Sequence, residues 1–228
     1  MNNLNPTLDI TTLLASAIHD MKNSLAIILN TIDELDQPPG STTEQTPLTQ
    51  LRHEGQRLNN QFIQMLALYR IHHGQYSANI NDTCIYELLE QIQLENHTTL
   101  ATCNIRLTID CDGELVWFCD RALLLGAINT IINNAYTFAR QQIHLSATLQ
   151  NQSLIINIDD DGPGYPAAML TSAPQPQRPI DFQGGSTGLG IYFASVIAHL
   201  HQVNQRHGHI TLSNHGPNGG GRFTLCLP

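Results

Sequence analysis

The stretch Ser153-Leu-Ile-Ile-Asn-Ile158, running directly into Asp159-Asp160-Asp161-Gly162-Pro163-Gly164, decides how this chain is read. The first half is a run of apolar, β-branched residues that suits a buried strand. Asp-Gly and Pro-Gly then end the strand in a turn. Downstream, Gly184-Gly185-Ser186-Thr187-Gly188-Leu189-Gly190 opens a helix predicted over about 188–202. Glycines at such a start remove steric walls, so backbone N–H groups and the positive end of the helix dipole can face an anion. No lysine follows these glycines, so the segment is not a Walker A loop. Pro166, Pro174, Pro176 and Pro179 lie between the two motifs and mark a loop.

Outward from this pair the pattern is α/β. Ile105–Ile109, Leu115–Cys119 and Ile143–Ala147 read as strands, and two more are predicted near 209–214 and 221–227. Asp120 caps a helix predicted from Arg121 to about Arg140, with Leu124, Leu125, Ile128, Ile131 and Ile132 on its apolar faces. Within it Asn134 is a polar amide among apolar neighbours and requires a partner. Residues 79–82 read as a polar connector in which Asp82 caps a further helix over about 84–98, with Leu88, Leu89, Ile92 and Leu94 facing inward. The expected sheet is mixed, mostly antiparallel, with helices on one face.

The N-terminal third has a different period. Leu14, Ile18, Met21, Leu25, Ile28, Ile32 and Leu35 recur at alternating spacings of four and three, a heptad seam. Pro38-Pro39-Gly40 stops that helix. A second seam runs through Leu48, Leu51, Gly55, Leu58, Phe62, Met65 and Tyr69. Helices joined by so short a loop are antiparallel neighbours. Such a hairpin buries one stripe per helix, and pairing two hairpins into a four-helix bundle buries both, so a homodimer is expected. Packing on the rest of the same chain is the other way to cover the stripe. His19 follows the seam residue Ile18 and so faces away from the core. An exposed imidazole titrating near ~6.5 is largely neutral at pH 7 and can act as a nucleophile. Asp20 can hold its N–H, and Asn23, one turn beyond Asp20, can orient a water. Taken alone, His19 is one of 11 histidines.

Composition narrows the function. The formal net charge is −9 with a single lysine, Lys22, and no basic run, which argues against a nucleic-acid or anionic-membrane binder. No apolar stretch reaches the ~20 residues of a membrane span, and no secretory signal is read, so neither membrane insertion nor export is expected. The 5 cysteines form no C-x-x-C pair, which fits a reducing, cytoplasmic setting without disulfides or zinc.

Together these segments resemble the two-component sensor histidine kinases over nearly the whole chain. His19-Asp20-x-Lys22-Asn23-x-Leu25 is similar to the family's H-box, Asn134-Ala135 to the end of its N-box, Asp160-x-Gly162-x-Gly164 to its G1 box, and Thr187-Gly188-Leu189-Gly190 to its G2 box. The closing Gly219-Gly-Gly-Arg-Phe-Thr-Leu-Cys-Leu-Pro228 resembles the family's last strand. The resemblance implies an α+β chain. Residues 1–77 would form the dimerisation and phosphotransfer hairpin, a dimeric four-helix bundle. Residues 78–228 would form an α/β sandwich ATP-binding domain of the GHKL (Bergerat) type. It further implies that Asp160 accepts from the adenine amino group while Gly162 and Gly164 let the backbone approach the base. Thr187, Gly188, Leu189 and Gly190 would cradle phosphate, and Asn134 would bind Mg²⁺ bridging the phosphates. His19 would take the γ-phosphoryl group of ATP, oriented by Asp20, and pass it to an aspartate of a response-regulator receiver. Asp20-x-x-Asn23 resembles the phosphatase signature, and input would come from a separate sensor or regulatory protein.

The chain departs from the pattern at several places. Thr130 stands where the family has asparagine, with Asn129 one position off; Thr137 stands where a cation is frequent, and Ser186 where the G2 pattern begins with glycine. These departures keep a second reading in view: a phosphotransferase or scaffold of the same fold that works without ATP.

Overall fold

The computed structural model describes residues 21, 24–32, 47–170 and 189–228. His19, Asp20, Asn23, Thr187, Gly188 and the whole proline-rich loop after Leu170 lie outside the described residues, as does the predicted hairpin turn.

Residues 24–32 are helical, and α1 spans Pro47–His72. The remainder runs β1 (Asn81–Cys84), α2 (Ile85–Thr102), β2 (Arg106–Cys111), β3 (Val116–Cys119), α3 (Arg121–Phe138), β4 (Gln142–Gln150) and β5 (Ser153–Asp160). It continues through α4 (Ala167–Leu170), α5 (Leu189–Leu200), β6 (Gln202–Val203), β7 (Arg206–His207), β8 (His209–Ser213) and β9 (Arg222–Leu227). The main sheet has the order β2-β4-β5-β9-β8, with β2 and β4 parallel and every other pair antiparallel.

Strand period two sets its layers. Ile143, Leu145 and Ala147 of β4, Leu154, Ile156 and Ile158 of β5, and Phe223, Leu225 and Leu227 of β9 all turn to one face and are buried. Helices α2, α3 and α5 cover that face through Leu88, Leu89, Ile92, Leu124, Ile128, Ile132, Ala194 and Ile197. Each fully buried aliphatic side chain there contributes about 1.5–3 kcal/mol. The opposite face carries polar cross-strand pairs. Arg222 lies opposite Asp159, and Thr224 lies opposite Asn157 and donates to its Oδ1 at 2.7 Å. Thr108 lies opposite His144, its hydroxyl 3.0 Å from Nδ1. A helical layer on one face and polar pairs on the other make the sandwich that the sequence predicts.

Asp120 ties the pieces together. As the N-cap of α3 its Oδ1 accepts from Leu123 N at 3.0 Å, as expected. Its Oδ2 accepts from Tyr76 Oη at 2.9 Å and Asn79 N at 2.8 Å, fastening the segment that leaves α1. Its own N–H donates to His201 Nε2 at 3.0 Å, and His201 Nδ1 lies 2.8 Å from the Ile197 carbonyl. One imidazole nitrogen therefore accepts and the other donates, which fixes a neutral tautomer. Burial pushes the His201 pKa down, against the raising influence of the Ile197 bond and the Asp120 charge.

Two expectations need correction. Residues 81–84 form a strand antiparallel to β3, so Asp82 is an exposed strand residue and α2 begins at Ile85 without a side-chain cap. Leu94 is exposed, because the inward stripe of α2 continues instead through Asn96 and Leu100. The seams are only partly covered within one chain. Met21 is buried, while Leu25, Ile32, Phe62 and Tyr69 are exposed. The face of α1 that does bury is a neighbouring stripe, through Gln64 and Leu68, with Leu68 packed into the main hydrophobic core.

Candidate functional site

Three consecutive carboxylates at the end of β5 meet three different environments. Asp159 forms a fork with Arg222: Nε donates to Oδ1 at 2.6 Å and an Nη to Oδ2 at 2.8 Å. Asp161 accepts from the backbone N–H groups of Arg140 at 2.8 Å, Gln141 at 3.1 Å and Gln142 at 3.3 Å. Burial pushes its pKa up, but these bonds outweigh that and hold it below the usual carboxylate value. Asp161 thus anchors the turn between α3 and β4. Asp160, between them, is 8% exposed. Its Oδ1 accepts from Gly162 N at 2.8 Å and Gly221 N at 3.3 Å, whereas Oδ2 receives no hydrogen bond from the described residues. Burial pushes the Asp160 pKa up; the two backbone bonds oppose this, and the charges of Asp161 and Asp159 reinforce it. The result is an enclosed carboxylate with one oxygen held in place and the other available to a donor.

The backbone around Asp160 is shaped to leave that oxygen open. A Cβ at Gly221 would stand 2.6 Å from Asp160 Oδ2 and 3.1 Å from the Tyr165 ring, so any side chain there would fill the space. Asp160 N also donates to the Gly221 carbonyl at 2.9 Å. The closing glycine turn therefore forms one wall beside the carboxylate. Gly164 has φ +80, and a Cβ on it would stand 2.7 Å from the Asn214 side chain. Past it, Asn214 clamps Tyr165 from both sides: Tyr165 N donates to Oδ1 at 2.7 Å, and Nδ2 donates to the Tyr165 carbonyl at 3.0 Å. Burial and the charges of Asp160 and Asp159 push the Tyr165 phenol pKa up.

The other motifs converge on the C-terminal half of α3. Gly162 abuts its end, since a Cβ there would lie 2.6 Å from the Phe138 carbonyl. Gly190, in the first turn of α5, faces Asn134 and Thr130: a Cβ would stand 2.8 Å from Asn134 Nδ2 and 2.6 Å from Thr130 Cγ2. The half-buried Asn134 amide forms no hydrogen bond among the described residues. It can offer an oxygen to a hard cation such as Mg²⁺, which keeps several waters and needs one or two protein oxygens. No group of three or more His, Cys, Asp or Glu side chains that could hold a metal stands among the described residues. A single amide oxygen suits an ion that keeps its waters and shares its other ligands with phosphate oxygens. Leu189 buries its side chain in the core and presents only backbone to this cluster.

Some participants escape a reading of the motifs alone. Gly221, Tyr165 and Asn214 lie far from the Asp-Gly signature in sequence or carry no catalytic chemistry, so only strand pairing brings them to it. Asn129 does not replace the missing asparagine at 130. It points to α2, accepting from Asn96 Nδ2 at 2.7 Å and donating to Glu95 Oε2 at 2.8 Å. Thr130 is buried and donates to the Gly126 carbonyl at 2.7 Å. Thr137 is exposed and donates back to the Asn133 carbonyl at 3.3 Å.

Comparison with known proteins agrees with this geometry. Residues 119–228 match the histidine kinase-, DNA gyrase B- and HSP90-like ATPase family. The chain is 28% identical over 197 residues to sensor histidine kinase GtrS of Pseudomonas aeruginosa, covering 80% of this chain and 39% of that protein. It is 24% identical over 222 residues to sensor histidine kinase CpxA of Escherichia coli, covering 95% of this chain and 46% of that one. The chain thus spans less than half the length of these curated relatives. Among solved structures, histidine kinase AdeS of Acinetobacter baumannii superposes with a TM-score of 0.65 at 17% identity, over 92% of this chain and 96% of that one. Histidine kinase ThkA, in complex with the response regulator protein TrrA, superposes with a TM-score of 0.62 at 16% identity, over 95% of this chain and 61% of that one. Among the described residues no helix is long and apolar enough to cross a membrane. An enclosed strand-end aspartate, a glycine wall beside it and an asparagine facing a helix-start glycine agree with these comparisons: residues 119–228 carry a domain of the histidine kinase-, DNA gyrase B- and HSP90-like ATPase family, and the chain is similar to sensor histidine kinases.

Proposed function

We propose that this protein is a cytoplasmic histidine kinase that autophosphorylates His19 from Mg·ATP and passes the phosphoryl group to an aspartate of a response regulator. The observation that carries the reading is Asp160, buried with Oδ1 fixed by two backbone N–H groups and Oδ2 left open. Such an acceptor suits the exocyclic amino group of adenine, and a hydrogen bond to a charged partner is worth about 1.5–3 kcal/mol. Gly162 and Gly164 bring the backbone to the base, and Tyr165 flanks it. Thr187, Gly188, Leu189 and Gly190 supply backbone N–H groups to the phosphates at the start of α5. Asn134 holds Mg²⁺, which neutralises charge on the phosphates.

The chemistry then falls to the hairpin. A ring nitrogen of His19 attacks the γ-phosphorus in line; an N–P bond forms and the bond to the ADP oxygen breaks. Asp20 holds the other ring N–H and so keeps the attacking nitrogen unprotonated. Asn23 orients a water for the reverse, phosphatase reaction. Residues 1–77 act as the dimerising phosphotransfer unit and 78–228 as the catalytic unit. A homodimer suits the exposed stripes Leu25, Leu29, Ile32 and Phe62, Leu66, Tyr69, since both repeat at helical spacing and both are open to a second copy. ThkA, whose structure was solved with TrrA, is the model for the response-regulator partner.

Incubation with γ-labelled ATP tests the reading. The native chain becomes labelled with acid-labile, base-stable phosphate, and His19→Gln abolishes it. Label that survives the substitution, or that is acid-stable, refutes the assignment.

A further inference from the structure

Two cysteines converge on one turn from different strands. Cys111 ends β2, and Cys84 ends β1 as the N-cap of α2. Between β2 and β3 the chain turns at Asp112-Gly113-Glu114-Leu115, closed by Leu115 N donating to the Asp112 carbonyl at 3.1 Å. Strand register sets Cys84 opposite Val116, and Ile85 N donates to the Leu115 carbonyl at 2.8 Å, so β1 runs into the same turn. The Cys84 thiol donates to the Gly113 carbonyl at 3.6 Å and the Cys111 thiol to the Asp112 carbonyl at 3.4 Å. Two thiols remote in sequence thus point at successive carbonyls of one turn.

Their closeness also shows in the Cys111 pKa, which is pushed up to about 11. Burial is the largest cause, and Cys84 comes next, ahead of Asp112 and Asp110. Electrostatic influence falls with distance, so a sulfur that outweighs the carboxylates of the two flanking residues lies beside the Cys111 thiol. Cys84 and Cys111 are both free and half-buried, hence open to a small reagent. Neither belongs to the candidate nucleotide site. Register sets Cys111 beside Ala147 of β4, whereas Asp160 lies opposite Ile143, at the other end of that strand's buried run.

We propose that Cys84 and Cys111 are a peroxide-responsive thiol pair, which closes into a reversible disulfide and clasps the start of α2 to the end of β2. Cys111 stays protonated at neutral pH, so Cys84 takes the first step. Its sulfur attacks one oxygen of hydrogen peroxide; an S–O bond forms, the O–O bond breaks, and the departing hydroxide leaves as water with the Cys84 thiol proton. The Cys111 sulfur then attacks the sulfenic sulfur; the S–S bond forms, the S–O bond breaks, and hydroxide leaves with the Cys111 proton as a second water. Two thiols are oxidised and one peroxide is reduced. A dithiol reductant restores both thiols by exchange, as suits a transient disulfide in a reducing compartment. The closed loop contains all of α2 and restrains the unfolded chain.

The test treats the full chain with stoichiometric hydrogen peroxide and maps its peptides by mass spectrometry with and without dithiothreitol. The expected product is a linked pair of peptides holding Cys84 and Cys111, lighter by two hydrogens and released by dithiothreitol, with Cys103 still open to alkylation. Thermal unfolding followed by Trp117 fluorescence should rise by roughly 5–10 °C on oxidation and return on reduction. Amide exchange over residues 84–88 should slow in the oxidised form. Cys84→Ser and Cys111→Ser should each abolish the link and the rise, and Cys103→Ser should change neither. A link through Cys103, a bond formed only between two copies of the chain, sulfinic acid at both positions without a link, or an unfolding midpoint unmoved by oxidation overturns the proposal.

Discussion

Replacing Asp160 by asparagine separates recognition from folding. In the native protein Oδ1 accepts from Gly162 N at 2.8 Å and Gly221 N at 3.3 Å, and Oδ2 is left open. An asparagine of the same shape keeps its carbonyl oxygen on those two N–H groups, because the alternative rotamer would set donor against donor. Its NH₂ then occupies the Oδ2 position and meets the amino group of adenine. The loss is one charge-assisted bond, about 1.5–3 kcal/mol, or roughly 10- to 150-fold in affinity. Stability should move the other way or not at all, since burial already raises the Asp160 pKa and the charges of Asp159 and Asp161 repel its ionised form. Calorimetric titration with Mg²⁺ and an ATP analogue gives the affinity, and thermal unfolding followed by the fluorescence of Trp117, the chain's one tryptophan, gives the stability. Affinity within twofold of native in a folded variant would refute the role of this carboxylate. A collapse of stability with the affinity would show that Asp160 is a structural group.

Gly190→Ala should place a methyl against Asn134 Nδ2 and Thr130 Cγ2, at a cost of about 1–3 kcal/mol, and should remove the Mg²⁺ dependence of nucleotide binding before it unfolds the domain. Arg222→Ala leaves Asp159 buried without its fork and should lower stability by about 2 kcal/mol, less than for a fully enclosed pair because Arg222 is partly exposed, with affinity for nucleotide retained. His201 has a folded pKa below its unfolded value, so the unfolded chain binds more protons as the solution is acidified. Stability should therefore be full above about pH 6.5 and fall as pH drops below it, and His201→Gln should flatten that part of the denaturation curve.

Much of the fold is legible because periods in the sequence survive into the layers. The alternation in Ile143–Ala147 and Ser153–Ile158 becomes the buried face of β4 and β5, and the Asp120 cap holds α3. The misses have local causes. Asn81–Cys84 is polar and short, and only its pairing with Val116–Cys119 makes it a strand. Leu94 stands two residues past Ile92 and so on the opposite face of α2 from the inward stripe, whereas Asn96, one turn after Ile92, is buried because Ile92 and Asn129 satisfy its amide. The heptads of the hairpin are legible as seams. What they cannot disclose is that α1 has a second buried stripe, since a glutamine at position 64 reads as solvent-facing until Thr130 is seen to receive it.

The aspartates at the end of β5 show where sequence reasoning stops for the site itself. A run of three carboxylates offers no internal clue to which one is free, and repulsion alone makes each of them less willing to ionise. Their division of labour comes from elsewhere in the chain. Strand register places Arg222 opposite Asp159 and neutralises it. The α3–β4 turn presents three N–H groups to Asp161. Asp160 alone is met by Gly221, whose backbone N–H donates to one oxygen and whose missing side chain leaves the other uncovered. A motif of the form Asp-x-Gly-x-Gly identifies the middle residue only in conjunction with a glycine about sixty positions later. On this ground Gly221→Val should abolish nucleotide binding as fully as loss of the carboxylate, although residue 221 is outside the motif.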